Sequence, residues 1–134
     1  MNVYASKYLS VDYYDEYRLI EATWSDETIN MTAEEYKTEF LNYLDIVIRV
    51  NSIAVLADES RMSFNADPTL QQWVNENIFP KIPPQNLAVI VSQDLITKLA
   101  AEQLMDEAEG RNRFQTRFFE VREEGREWLI SLKE

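Results

Sequence analysis

The chain has 134 residues, 46% of them hydrophobic and 12% aromatic, and a formal charge of −11. That length fits one domain of about 100–150 residues with its own core, and the apolar content excludes a disordered chain. The absence of Cys and His removes disulfides, thiol nucleophiles, Ser-His-Asp triads and ordinary zinc or iron centres, while the acidic balance argues against nucleic acid and anionic membrane as partners.

The N-terminal stretch reads as strands. Val3–Ala5 predicts a short edge strand, and in Tyr8–Tyr14 the residues Leu9, Val11 and Tyr13 alternate with Ser10 and Asp12, a period of two. Asp15-Glu16 is a polar turn, after which Tyr17–Trp24 resumes with Arg18, Ile20, Ala22 and Trp24 on one face. Two alternating runs with a short connection predict a hairpin. The tyrosines concentrated here suit a half-buried sheet, and they also offer a binding surface.

Thr32-Ala33-Glu34-Glu35 is a capping box and opens the first helix. Tyr36, Phe40, Leu44, Val47 and Ile48 form its inward stripe. Glu35, Lys37, Glu39, Asn42 and Arg49 fall mostly on the solvent side, and Asn51 is a stop. The period then changes: Ile53–Ala57 and Leu87–Val91 are continuously apolar, as strands covered on both faces must be. Between them Asp67-Pro68 starts a helix running through Leu70, Trp73, Val74 and Ile78 to Phe79, where Pro80 stops it. A third helix is predicted from about Asp94, with Leu95, Ile96, Leu99, Leu104 and Met105 and a close at Gly110. Phe114–Val121 follows as a strand and Arg122–Lys133 as a final helix. Buried strands separated by helices need crossovers. The expected fold is therefore α/β: a mostly parallel sheet with an N-terminal antiparallel hairpin and about four helices packed on it, one domain over residues 1–134.

Charge is uneven. Residues 111–134 hold six basic residues against five acidic ones, so the preceding 110 carry −12. Arginines pairing with the acidic body explain this as well as an anion or partner site does. The first residues lack an apolar run typical of a signal peptide, and no apolar run is long enough to span a bilayer, so a cytoplasmic protein without membrane insertion is expected.

Usual chemical signatures are missing. No spacing singles out two of the 24 acidic residues as an acid–base pair. Asp58-Glu59 and Asp106-Glu107 offer oxygens without the spacing of a calcium loop, and two isolated glycines cannot cradle a phosphate. No catalytic residue, metal or cofactor is expected. The position with a physical argument is the rim beyond the carboxyl ends of the buried strands, where open α/β sheets gather their sites. Asp58, Ser60, Arg61, Ser63, Asn65 and Asp67 from one loop should meet Ser92 from the next. Asp67 and Ser92 also read as plain helix caps.

The run Val55-Leu56-Ala57-Asp58-Glu59-Ser60-Arg61-Met62-Ser63-Phe64, followed by a helix near Asp67 and Leu70, resembles the STAS-type domain of anti-sigma-factor antagonists and its CRAL-TRIO-like relatives. The resemblance covers most of the chain and is mainly one of pattern. In the antagonists an Asp-Ser-Ser/Thr-Gly helix start carries a hydroxyl phosphorylated by an anti-sigma kinase. Here that place reads Ala66-Asp67-Pro68-Thr69, so no phosphosite carries over. The tail Arg113–Phe119 with Glu127-Trp128-Leu129 is similar to small bacterial STAS-like proteins. The resemblance implies a non-enzymatic regulatory or protein-interaction domain. A small apolar-ligand or lipid binder and a carboxylate-based enzyme are the alternatives. A homodimer formed through a sheet edge or the tyrosine-rich strands is expected.

Overall fold

The computed structural model describes residues 1–92, 94–106 and 113–133. Six strands form one sheet in chain order: β1 (Asn2–Ala5), β2 (Leu9–Tyr14), β3 (Leu19–Trp24), β4 (Ala54–Asp58), β5 (Gln85–Ile90) and β6 (Phe114–Phe119). β1, β2 and β3 are antiparallel neighbours, and β3 through β6 run parallel. Helices α1 (Ala33–Val50), α2 (Pro68–Asn77) and α3 (Leu95–Asp106) connect the parallel strands, and α4 (Arg122–Lys133) ends the chain. The α/β architecture is the one the residue pattern predicts.

The two faces of the sheet carry different loads. Ile20, Ala22, Val55, Leu87 and Val89 pack with α1, α2 and α3 in the larger core. Leu19, Leu56, Ala88 and Ile90 pack with Leu129 of α4 in a second, smaller core. This explains the continuously apolar runs: β4 and β5 have a helix on each side. Burying one such aliphatic side chain contributes about 1.5–3 kcal/mol. Gly125 lets α4 come close, because a Cβ there would meet Ile90 Cδ1 at 2.9 Å.

Local signals hold at the helix starts. Thr32 Oγ1 accepts from the Glu35 N–H at 3.2 Å while Glu35 Oε1 accepts from the Thr32 N–H at 2.9 Å, the reciprocal box. Asn51 ends α1 in the left-handed region at φ 56°. Asp67 Oδ1 accepts from the Leu70 N–H at 2.8 Å with Pro68 next in line.

Other positions differ from expectation. Arg18 is not on an inward strand face. It sits at φ 49° before β3 and donates to the Asn51 carbonyl. Ile48 is 56% exposed, whereas Glu39 is only 3% exposed and accepts hydrogen bonds from Tyr4 and Ser6. β1 and the loop after it lean over α1 there, so a polar helix face is covered by the chain's own beginning. Asn42 donates to the same Tyr4 hydroxyl. Tyr8 donates to Glu35 and Tyr13 to the Val50 carbonyl, so these tyrosines pack the sheet onto α1. Leu95, Ile96 and Leu99 are exposed, Leu95 by 66%, because α3 turns Thr97 and Leu104 inward instead. α2 stops at Asn77, and Pro80 lies inside a short 3-10 turn, Phe79–Lys81. β6 ends at Phe119, two residues early. Gly110 and Gln93 lie outside the described residues.

Candidate functional site

The site grows from the carboxyl ends of β3 and β4. Alternation along β3 sends Glu21 and Thr23 to the α4 face, and along β4 it sends Asp58 there too. α4 begins beside them and lays two arginines over the strands. Arg126 donates to Glu21 through Nε (2.6 Å) and Nη2 (2.7 Å), a forked contact. Arg122 donates to Glu21 at 2.7 Å, to Asp58 at 2.8 Å and to the Thr23 hydroxyl at 3.0 Å. Glu21 is 1% exposed, so its charge is tolerated only because two guanidiniums answer it. Burial pushes the Glu21 carboxyl up, but Arg126 and Arg122 outweigh burial and hold it below the usual carboxylate range. The C-terminal arginines thus pair with the acidic body, the plainer of the two readings of the uneven charge.

Asp58 is the hinge of the rim. One oxygen takes Arg122 and the other accepts from the Ser60 N–H (3.0 Å) and hydroxyl (2.7 Å), which shapes the turn after β4. Burial raises the Asp58 carboxyl, and Ser60 with Arg122 bring it below its ordinary value. Ser6, Ser10, Thr23, Ser25, Arg61 and Arg122 line, with Asp58, Ser60 and the apolar Leu9 and Trp24, a cleft of about 400 Å³ whose hydrogen-bonding groups come mostly from this face.

The predicted rim residues occupy one end of the sheet but divide into two groups. Asp58, Ser60 and Arg61 line the cleft. Asn65 accepts from the Thr97 hydroxyl of α3, and Ser92 donates to the Met62 carbonyl at 3.2 Å while accepting from the Asp94 N–H. Ser63 hangs its backbone N–H on Thr28 Oγ1 at 2.9 Å. Asp67 caps α2, farther along the loop. The two loops do meet, through Ser92 and Met62. Ser92 is buried and ties the loops together instead of facing outward.

Residue patterning missed Glu21, Thr23, Arg122 and Arg126, and it missed the position of Glu59. Val55, Ala57 and Glu59 follow the period of two on the α1 side, so Glu59 lines a cavity of about 60 Å³ walled mainly by apolar side chains. Burial, with help from the neighbouring Asp58 charge, pushes its pKa up to about 7. Among the described residues no group of three or more Asp or Glu is placed to hold a metal ion. None of the helices is long and apolar enough, over the described residues, to cross a membrane.

In comparisons with known proteins, no family model matches the chain, and no curated protein or solved structure matches it.

Proposed function

We propose that this chain is a non-enzymatic, STAS-like protein-interaction domain that docks a partner protein on the rim where β3 and β4 end. The observation that carries this reading is the cleft. Asp58, Ser60, Thr23 and Arg122 fix one another, so its shape is set before a partner arrives, which lowers the ordering cost of binding. Arg61 lines the cleft, is exposed and makes no ion pair with a described residue. It offers an acidic side chain of the partner a charge-assisted contact.

The alternatives gain less support. A carboxylate enzyme needs two acids with opposed pKa shifts facing one cleft. Asp58 and Glu59 have the opposed shifts, but Asp58 lines the cleft and Glu59 the cavity across the sheet. A lipid needs an apolar pocket of a few hundred Å³; the cavity between sheet and helices measures about 60 Å³, and the larger hollow between α3 and β6 sets Glu102, Gln103 and Asp106 beside Leu99, Met105 and Phe118.

The test is capture of partners from the source cells by tagged chain in three forms: unaltered, Arg61→Ala with Ser63→Ala, and Lys81→Ala at the opposite end of the sheet. The reading expects a partner lost only with the rim variant. Equal recovery by all three forms would refute it.

A further inference from the structure

Two small cavities, of about 60 Å³ and about 30 Å³, lie on the α1 side of the sheet and share Trp24, Phe40, Glu59 and Leu104 in their walls. Among the described residues Glu59 is the one charged residue in either wall, and no described Lys or Arg lines them. Its hydrogen bonds run through its backbone alone, the N–H to the Ile90 carbonyl and the carbonyl from the Met62 N–H. No described residue donates to its carboxylate.

Aromatic rings share the cavity walls with Glu59: Trp24, Phe40 and Tyr43 line the larger cavity and Trp24, Tyr36, Phe40 and Phe64 the smaller. The Tyr36 centroid stands 4.8 Å from Phe40, 5.0 Å from Phe64 and 6.3 Å from Trp24, and all four side chains line the smaller cavity. Ring faces carry partial negative charge and attract cations. Glu59 is half-buried, and a carboxylate without a hydrogen-bond partner that is drawn partly into apolar surroundings favours a proton or a counter-charge. Carboxylate and ring faces therefore favour the same sign of guest. The described residues of the walls supply none.

We propose that the larger cavity binds a small organic ammonium ion, its charge against Glu59 and its carbon atoms against Trp24, Phe40 and Tyr43. The larger cavity holds roughly four or five water-sized groups, at about 10–15 Å³ each. That suits a methylated ammonium and excludes a lipid chain. A metal ion suits the site poorly, because hard cations collect six or more oxygens and the walls offer one carboxylate. This site lies on the other face of the sheet from the rim cleft, and the rim loop's Met62, Phe64 and Ala66 wall the smaller cavity beside it.

Tetramethylammonium chloride is the probe, titrated into the intact chain at constant ionic strength and followed by NMR of residues around Glu59. The neutral alcohol tert-butanol, of similar size and shape, is the control. The ionisable groups that act on Glu59 are its chain neighbour Asp58, across the sheet, and Tyr36 of α1, while Tyr43 of α1 lines the larger cavity with it. Burial raises both tyrosines far above neutrality, so Glu59 alone changes charge near pH 7. With that pKa at about 7, the apparent affinity should fall about tenfold from pH 8 to pH 6 as the ionised fraction drops. Glu59→Gln should lose at least about tenfold in affinity while melting no lower than the unaltered chain at pH 8, which shows that the fold is intact. The proposal is overturned by the absence of saturable binding at pH 8, by equal binding to Glu59→Gln, or by equal binding of tert-butanol.

Discussion

Asp58 and Glu59 are neighbours in the chain, yet their carboxyl groups lie on opposite faces of the sheet. Asp58 meets Arg122 under α4, and Glu59 looks into the cavity under α1. One is held ionised by partners and the other is pushed towards neutrality by burial. The end of β4 thus serves two environments with one turn of backbone, and opposite pH responses follow from it.

For Glu59 the folded pKa is raised, from 4.5 to about 7. The folded chain therefore holds a proton that the unfolded chain has released between these values, and stability falls as pH rises through this window. The loss amounts to about 3 kcal/mol at most and levels off above pH 7. Urea unfolding from pH 4.5 to 8 should show this decline in the unaltered chain. Glu59→Gln should flatten it and be the more stable form at pH 8. A decline of equal size in the variant would assign it to other groups.

Glu21 behaves in the opposite sense. Its folded pKa is depressed, so its contribution is present above the ordinary carboxylate pKa and disappears as pH falls below it. Arg126→Met leaves a carboxylate that is 1% exposed with one guanidinium fewer, and should cost about 3 kcal/mol. Combining it with Glu21→Met should recover most of that loss, since the uncompensated charge is gone. Denaturant midpoints of the single and double variants decide the matter, and an additive double variant would contradict the coupling.

Which residues were legible in sequence depends on whether their cause is local. The capping box at Thr32 and Glu35 and the Asp67-Pro68 start involve residues three apart, so their hydrogen bonds could be written from the sequence and stand as written. The apolar runs of β4 and β5 gave their double coverage directly. Glu21 was different. A polar residue alternating with Ile20 and Ala22 reads as solvent-facing unless the helix that covers it is known, and that helix begins about a hundred residues later. Its trace was the basic surplus at the C-terminal end, which had two explanations until the ion pairs distinguished them. Glu39 was hidden likewise by Tyr4 and Ser6 from another element. Glu59 was legible and missed: Val55, Ala57 and Glu59 share one alternating face.

The helix cap at Asp67 separates stability from recognition. Its carboxylate accepts one backbone N–H at 2.8 Å, so Asp67→Ala should cost about 1 kcal/mol, and Asp67→Ser should stay within a few tenths of the unaltered chain. Thermal unfolding of the two variants checks this. Equal loss in both would mean that charge, and not the hydrogen bond, matters at this position.

Self-association is expected at β6 and not at the tyrosine-rich strands. β1 is four residues long and shifts register between Asn2 and Tyr4, which blunts it as a pairing edge. β6 is the opposite edge, six residues long, and Phe118 stands exposed on it beside Leu99 of α3. A second copy pairing there would continue the sheet and cover both side chains. Sedimentation should show a dimer at micromolar concentration that Phe118→Arg converts to monomer. A monomer at every concentration, or a dimer indifferent to the substitution, would exclude this edge.

The docking role of the rim is tested most directly by crosslinking inside the source cells. A photoreactive benzoylphenylalanine replaces Ser63, exposed on the rim, in one form, and Pro84, exposed at the far end of the strands, in another. The account predicts a discrete crosslinked protein from position 63 and none from position 84. A partner captured equally from both positions, or from position 84 alone, would contradict it.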